Sequence, residues 1–141
     1  MQLDAKSPLD RSSETLFVVV AVVGALAVAL GAFGAHGLKG FLETAADGPQ
    51  RLQWWTTAAH YHLVHALLAA VFALLSSRSS KARTGIGLCC VGVLLFSGSL
   101  YAMTLTNVKV LGAVTPLGGL AFIAAWLWLA PTARASTTTA G

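Results

Sequence analysis

Apolar residues run unbroken by Lys, Arg, Asp or Glu through four segments, about residues 16–36, 57–76, 85–106 and 110–130. Each is about 20 residues long, which at about 1.5 Å per residue crosses a hydrocarbon core of about 30 Å. None alternates apolar and polar positions with period two, which excludes the strands of a membrane barrel. The pattern therefore predicts an all-α integral membrane four-helix bundle with antiparallel up-down topology. Its third and fourth helices are joined by a short turn around Asn107 and Lys109, which makes them antiparallel neighbours.

The flanks complete the domain plan. Residues 1–15 are expected as a cytoplasmic amino-terminal segment, 16–130 as the transmembrane domain, and 131–141, which is rich in Ser, Thr and Ala, as a disordered cytoplasmic tail. The first run is too long for a cleaved signal peptide, and Asp4, Asp10 and Glu14 accompany Lys6 and Arg11 ahead of it, so it is expected as a retained helix. Composition agrees with the membrane reading: 56% of the residues are hydrophobic and only 10% charged, too apolar a balance for a soluble domain of this size.

Six of the nine Lys and Arg residues fall on one side in this topology: Lys6, Arg11, Arg78, Lys81, Arg83 and Arg134. Lys39, Arg51 and Lys109 fall on the other. That bias predicts both termini in the cytoplasm. The net charge of +4 calls for no nucleic-acid partner, because these cations lie where anionic lipid headgroups attract them.

Polar residues within the apolar runs are not spread evenly. His36 ends the first run, His60, His62 and His65 stand in the first half of the second, and Ser97, Tyr101 and Thr104 form an i, i+4, i+7 stripe late in the third. Thr115, Pro116, Gly118 and Gly119 open the fourth. Alternating spans bring all of these to the non-cytoplasmic half of the bundle, and polar groups at membrane depth turn toward partners or a wet cavity. His36, Tyr61, His65, Ser97, Ser99, Tyr101 and Thr115 are thus the candidate polar site. The structural alternative is a set of interhelical hydrogen bonds worth about 0.5–1.5 kcal/mol each. His60 and His62, near Trp54 and Trp55, read as interfacial side chains, and Trp126 and Trp128 as aromatic-belt anchors at the opposite end.

Gly31, Gly34, Gly37, Gly98 and Gly119 are expected at close helix contacts. Gly37 and Gly40 also offer a place for the chain to bend His36 and Lys39 back over the bundle. Pro116 is expected to kink the fourth helix by freeing the carbonyl of Gly112. Cys89 and Cys90 are adjacent, lack metal-ligand spacing and read as small apolar residues. No metal and no cofactor is expected.

The segments LGAFGAHGLK (30–39), AAHYHLVHALLA with its His65 (58–69), LFSGSLY (95–101) and TPLGG (115–119) resemble the domain-of-unknown-function family numbered 423, small bacterial inner-membrane proteins with a eukaryotic relative called transmembrane protein 256. The resemblance covers about residues 16–130. It implies a compact four-helix protein of the cell inner (plasma) membrane, multi-pass, and it implies no activity. The positions matching the pattern are Gly31, Gly34, His36, Gly37, Tyr61, His65, Ser97, Gly98, Ser99, Tyr101, Thr115, Pro116 and Gly119; His60 and His62 fall outside it.

The leading expectation is a non-enzymatic accessory or interaction module whose partners are the lipid bilayer and either a membrane-protein partner or further copies of itself. Two alternatives remain open at this level. A haem- or quinone-associated redox protein would use His36 and His65, although these lie at different depths and the chain has no Cys-x-x-Cys-His motif. An oligomeric transporter of a small solute or of protons would have to work with histidine alone, since all five acidic residues lie outside the spans. Hydrolase chemistry by Ser97 or Ser99 with His65 lacks a carboxylate to orient the imidazole.

Overall fold

The computed structural model describes residues 11–77 and 79–138, with side chains from Glu14 to Ala135 apart from Arg78. The first ten residues, with Lys6, and residues 139–141 lie outside the described residues, as does Arg78. Four helices are long and apolar enough to cross a membrane: Glu14–Leu42, Gly48–Leu75, Lys81–Thr106 and Lys109–Ala135. Among the described residues no strand occurs.

The first span is α1 (Arg11–Phe33), a widened π-helical turn (Gly34–Leu38) and α2 (Lys39–Leu42). Helical geometry is kept through Gly37 and Gly40, so the chain does not fold back after His36. The second span, α3 (Gly48–Leu75), starts nine residues before its apolar run because Pro49 occupies its first turn, where a missing N–H costs nothing. The third span is α4 (Lys81–Gly92), a second π-helical turn (Val93–Ser97) and α5 (Gly98–Thr106), and it stops at Asn107 in the left-handed conformation, φ 57°. A 3-10 turn (Lys109–Ala113) leads into α6 (Thr115–Thr138).

Two expectations about the fourth span are corrected here. Pro116 stands in the first turn of α6, with Gly112 in the 3-10 turn before it, so the proline starts a helix rather than kinking one. The expected disordered tail from residue 131 is helical as far as Thr138. Pro131 removes a single backbone donor, and the next residue, Thr132, is buried with its hydroxyl donating to the Trp128 carbonyl at 2.8 Å.

The second span is the axis of the molecule. Trp55, Ala58, His62, His65, Ala69 and Phe72 are all buried, and they alternate by three and four residues along one stripe of α3. Phe72 anchors the apolar end with Leu68, Ile86, Cys89 and Ala125; Cys89 acts there as a small apolar side chain. Residues joined across α3 and the third span run in opposite order: Arg51 with Thr104, Ala58 with Ser97, Phe72 with Gly85. The third span and α6 pair in the same opposed sense, Thr115 with Ser99 and Trp128 with Lys81.

Candidate functional site

The polar cluster is assembled on the α3 stripe, and each member can be followed from its helix. Ser97, in the widened turn of the third span, is fully buried and donates its hydroxyl to the Ala58 carbonyl at 2.9 Å. Ser99 donates to the Phe96 carbonyl at 2.9 Å, which leaves its oxygen to accept from the Thr115 hydroxyl at 2.8 Å. That contact ties the start of α6 to the third span. Beside it, a side chain at Gly118 would collide with the Phe96 backbone, so the helices touch there at backbone distance.

His65 has both ring nitrogens committed. Nδ1 lies 2.8 Å from the Tyr61 carbonyl, which only accepts, so the proton sits on Nδ1. Nε2 then carries the lone pair, and it accepts from the Trp126 indole N–H at 3.2 Å. The ring is stacked on Phe122, centroids 3.5 Å apart and planes 12° from parallel. His62 is buried against the first span near the Val23 backbone; its Nδ1 stands 3.5 Å from the Tyr101 hydroxyl and its Nε2 closes no hydrogen bond.

Arg51 and Trp55 fasten the interfacial end. The Arg51 guanidinium donates to the Thr104 carbonyl at 2.8 Å and the Leu105 carbonyl at 3.3 Å, while the Thr104 hydroxyl is within 3.1 Å of the Arg51 carbonyl. A cation thus caps the last carbonyls of α5, where the helix dipole is negative. Asp47 holds the same guanidinium from the other side at 3.7 Å. The Trp55 indole donates to the Leu30 carbonyl at 2.8 Å, lies over Gly34, and packs between Phe33 and Tyr101. Both widened turns therefore occur where a neighbouring helix presses in, Trp55 at the first and α6 at the second.

The sequence-derived candidates divide accordingly. Tyr61 and His65 meet α6 through Phe122 and Trp126, Ser97 joins α3, Ser99 joins Thr115 of α6, and Tyr101 packs on Trp55 and His62 of α3. His36 does not join them; it is exposed on the first widened turn, and among the described residues it has no hydrogen bond or ring contact. Of the five expected packing glycines, Gly34 alone is pressed by another helix. Gly31 faces open space, Gly37 meets Phe33 of its own helix, and Gly98 and Gly119 have ordinary clearance. The other tight positions are Gly48 against the Leu42 carbonyl, Gly85 against Phe72, Gly92 against Phe122, and Gly118. His60 is exposed as an interfacial residue should be, whereas His62 and Trp55 are buried. Trp128 donates to the Lys81 carbonyl at 3.0 Å, as a belt residue does at a helix end, but Trp126 sits level with His65 and serves it as a donor. Arg51, Trp55 and Trp126 escaped notice as cluster members, although Arg51 and Trp55 continue the His62 and His65 stripe backward at helical spacing.

This arrangement limits the chemistry. The His65 lone pair is occupied by an indole, and His36 is elsewhere, so the two imidazoles do not form a ligand pair for haem. Neither Ser97 nor Ser99 touches an imidazole. Among the described residues no group of three His, Cys, Asp or Glu side chains converges as metal ligands.

Two hollows flank the cluster. One of about 370 Å³ lies between Tyr61, His65, Phe96, Phe122 and Trp126, and a larger one of about 570 Å³ lies between the first span and α3.

The model of a protein family of unknown function, DUF423, matches residues 30–119, which hold the seven candidate polar residues from His36 to Thr115, whereas Trp126 lies beyond them. A UPF0382 membrane protein of Bacillus subtilis, YwdK, is 43% identical over 118 residues, covering 81% of this chain and 92% of that protein. A UPF0382 membrane protein of Haemophilus influenzae is 41% identical over 113 residues, 79% of this chain and 87% of that one. SH2409 of Staphylococcus haemolyticus, likewise a UPF0382 membrane protein, is 40% identical over 116 residues, 81% of this chain and 91% of its own length. No solved structure matches the chain. With the family model covering more than half the chain and relatives at about 40% identity spanning most of it, this protein belongs to the DUF423 family of membrane proteins.

Proposed function

We propose that this chain is a non-catalytic membrane module: a small bundle whose polar cluster fastens the helices and whose lipid-facing sides are its working surfaces. The observation that carries the reading is how the buried polar side chains are used. Ser97, Ser99, Thr104 and His65 each spend their hydrogen bonds on backbone carbonyls or on a neighbouring helix. A nucleophile or a proton carrier needs a free lone pair beside an acid or a base. Groups committed to carbonyls instead hold helices at a fixed distance and depth, which is what a scaffold for lipids or other membrane proteins requires.

The same reading puts the chain in the cell inner membrane with both termini cytoplasmic and the cluster in the non-cytoplasmic half, supported by six Lys and Arg residues against three. Replacing His65 by Gln tests the structural role, because the amide can still accept from Trp126. His65→Gln is expected to lower stability in detergent by about 1 kcal/mol at most and to leave the growth phenotype of a deletion strain fully complemented. Loss of complementation at unchanged abundance and unchanged melting temperature would show that the imidazole does chemistry, and would sink the proposal.

A further inference from the structure

The larger hollow is built differently from the cluster. Its floor and one wall are small residues of the first span, Ala27, Gly31 and Ala35, spaced by four, and the stripe ends four residues later at Lys39; Ala59 and His60 of α3 form the facing wall. Gly31 meets nothing where its side chain would be. The groove is almost wholly apolar, with Lys39 at one end and Thr56 and His60 on its α3 wall. Lys39 also lines a smaller hollow that continues past Leu42 and Pro49 into the loop before α3. Among the described residues Lys39 has no ion pair, and Glu43 one turn on makes none with it.

We infer that this groove binds one acidic phospholipid, an acyl chain lying along Ala27, Gly31 and Ala35 and the phosphate resting at Lys39. Length supports this. From Ala27 to Lys39 the helix rises about 18 Å at about 1.5 Å per residue, close to one leaflet's share of a hydrocarbon core of about 30 Å. Charge supports it as well. A lysine without a partner at the polar end of an apolar channel complements an anionic headgroup. A second copy fits less well, because a two-fold contact through this groove would bring both Lys39 side chains to the same depth beside the axis.

Native mass spectrometry of the detergent-purified protein, titrated with an equimolar mixture of phosphatidylglycerol and phosphatidylcholine, tests the assignment. One phosphatidylglycerol per chain is expected to be retained with about fivefold preference, the effect of one lysine beside an anionic headgroup. Lys39→Gln should abolish the preference while some lipid is still retained. Gly31→Leu, which fills open space and leaves the melting temperature unchanged, should abolish retention of either lipid. Equal retention of both lipids by the unaltered protein, or a preference that survives Lys39→Gln, overturns the inference. So does a dimer that Gly31→Leu dissociates, since a second copy would then occupy the groove.

Discussion

The first and second spans are nearly equal in length, 29 and 28 residues, and the first is the more hydrophobic, with a mean hydropathy of 2.8 against 1.7. Yet 11% of the first span's most apolar stretch is buried, against 44% of the second's. In a soluble protein the greasier helix would be the core. Here lipid is as apolar as leucine, so hydrophobicity gives a helix no reason to leave it; packing and hydrogen bonding decide which helix becomes the axis. The second span carries the small residues, the aromatic rings and the imidazoles that other helices can grip. The first presents Val18, Val22 and Leu26 to its surroundings on one face and meets α3 on the other, at Ala27, the Leu30 carbonyl and Gly34, with Leu38 and Leu42 buried at its end.

By that contrast, substitutions should be costly on the buried stripe of the second span and cheap on the exposed face of the first. The largest effect is expected for Phe72→Ala, which empties the fully buried site against Gly85 and Ile86. The loss of packing should lower stability by about 3 kcal/mol, read by titration with denaturing detergent in mixed micelles. Arg51→Gln comes next. It removes the charged cap on α5 and leaves the Thr104 and Leu105 carbonyls short of a donor, a cost of about 1–2 kcal/mol that should appear in the same titration. Hydrogen exchange at the end of the third span should rise in parallel. Val22→Ala, on the exposed face of the first span, should cost less than about 0.5 kcal/mol. A loss at Val22 comparable to that at Phe72 would break the comparison, because it would mean that the first span is packed against another protein chain in the membrane.

Much of the fold was legible because the bilayer imposes a simple rule. Four uncharged runs of sufficient length gave the number of spans, and Asn107 marked the turn between the third and fourth, where a left-handed residue is needed. Six of the seven candidate polar residues make contacts between spans, in separate pairings such as Ser97 with Ala58 and Ser99 with Thr115, while His36 is exposed. What failed to show was local. Pro116 looked like an interior kink because the apolar run extends back to residue 110, and hydropathy does not mark the break after Ala113. Residues 131–138 looked disordered by composition, yet they continue a helix already formed upstream. The apolar run of the second span begins only at residue 57, whereas its helix begins at Gly48 and takes Arg51 and Trp55 into the stripe. Extended backward from His65 and His62 by fours and threes, that stripe reaches Ala58, Trp55 and Arg51.

The sequence by itself determined that this is a membrane protein with four helices long and apolar enough to cross. This follows from the free energy of moving single residues between water and hydrocarbon, a property each residue carries with it. Only the tertiary structure decided which imidazoles are buried, which glycines are tight, and that Arg51 caps a helix more than 50 residues away in sequence. Those outcomes depend on distances between helices, because lipid receives an apolar face as readily as a neighbouring helix does. The choice of face falls to contacts that exist only once the helices have met.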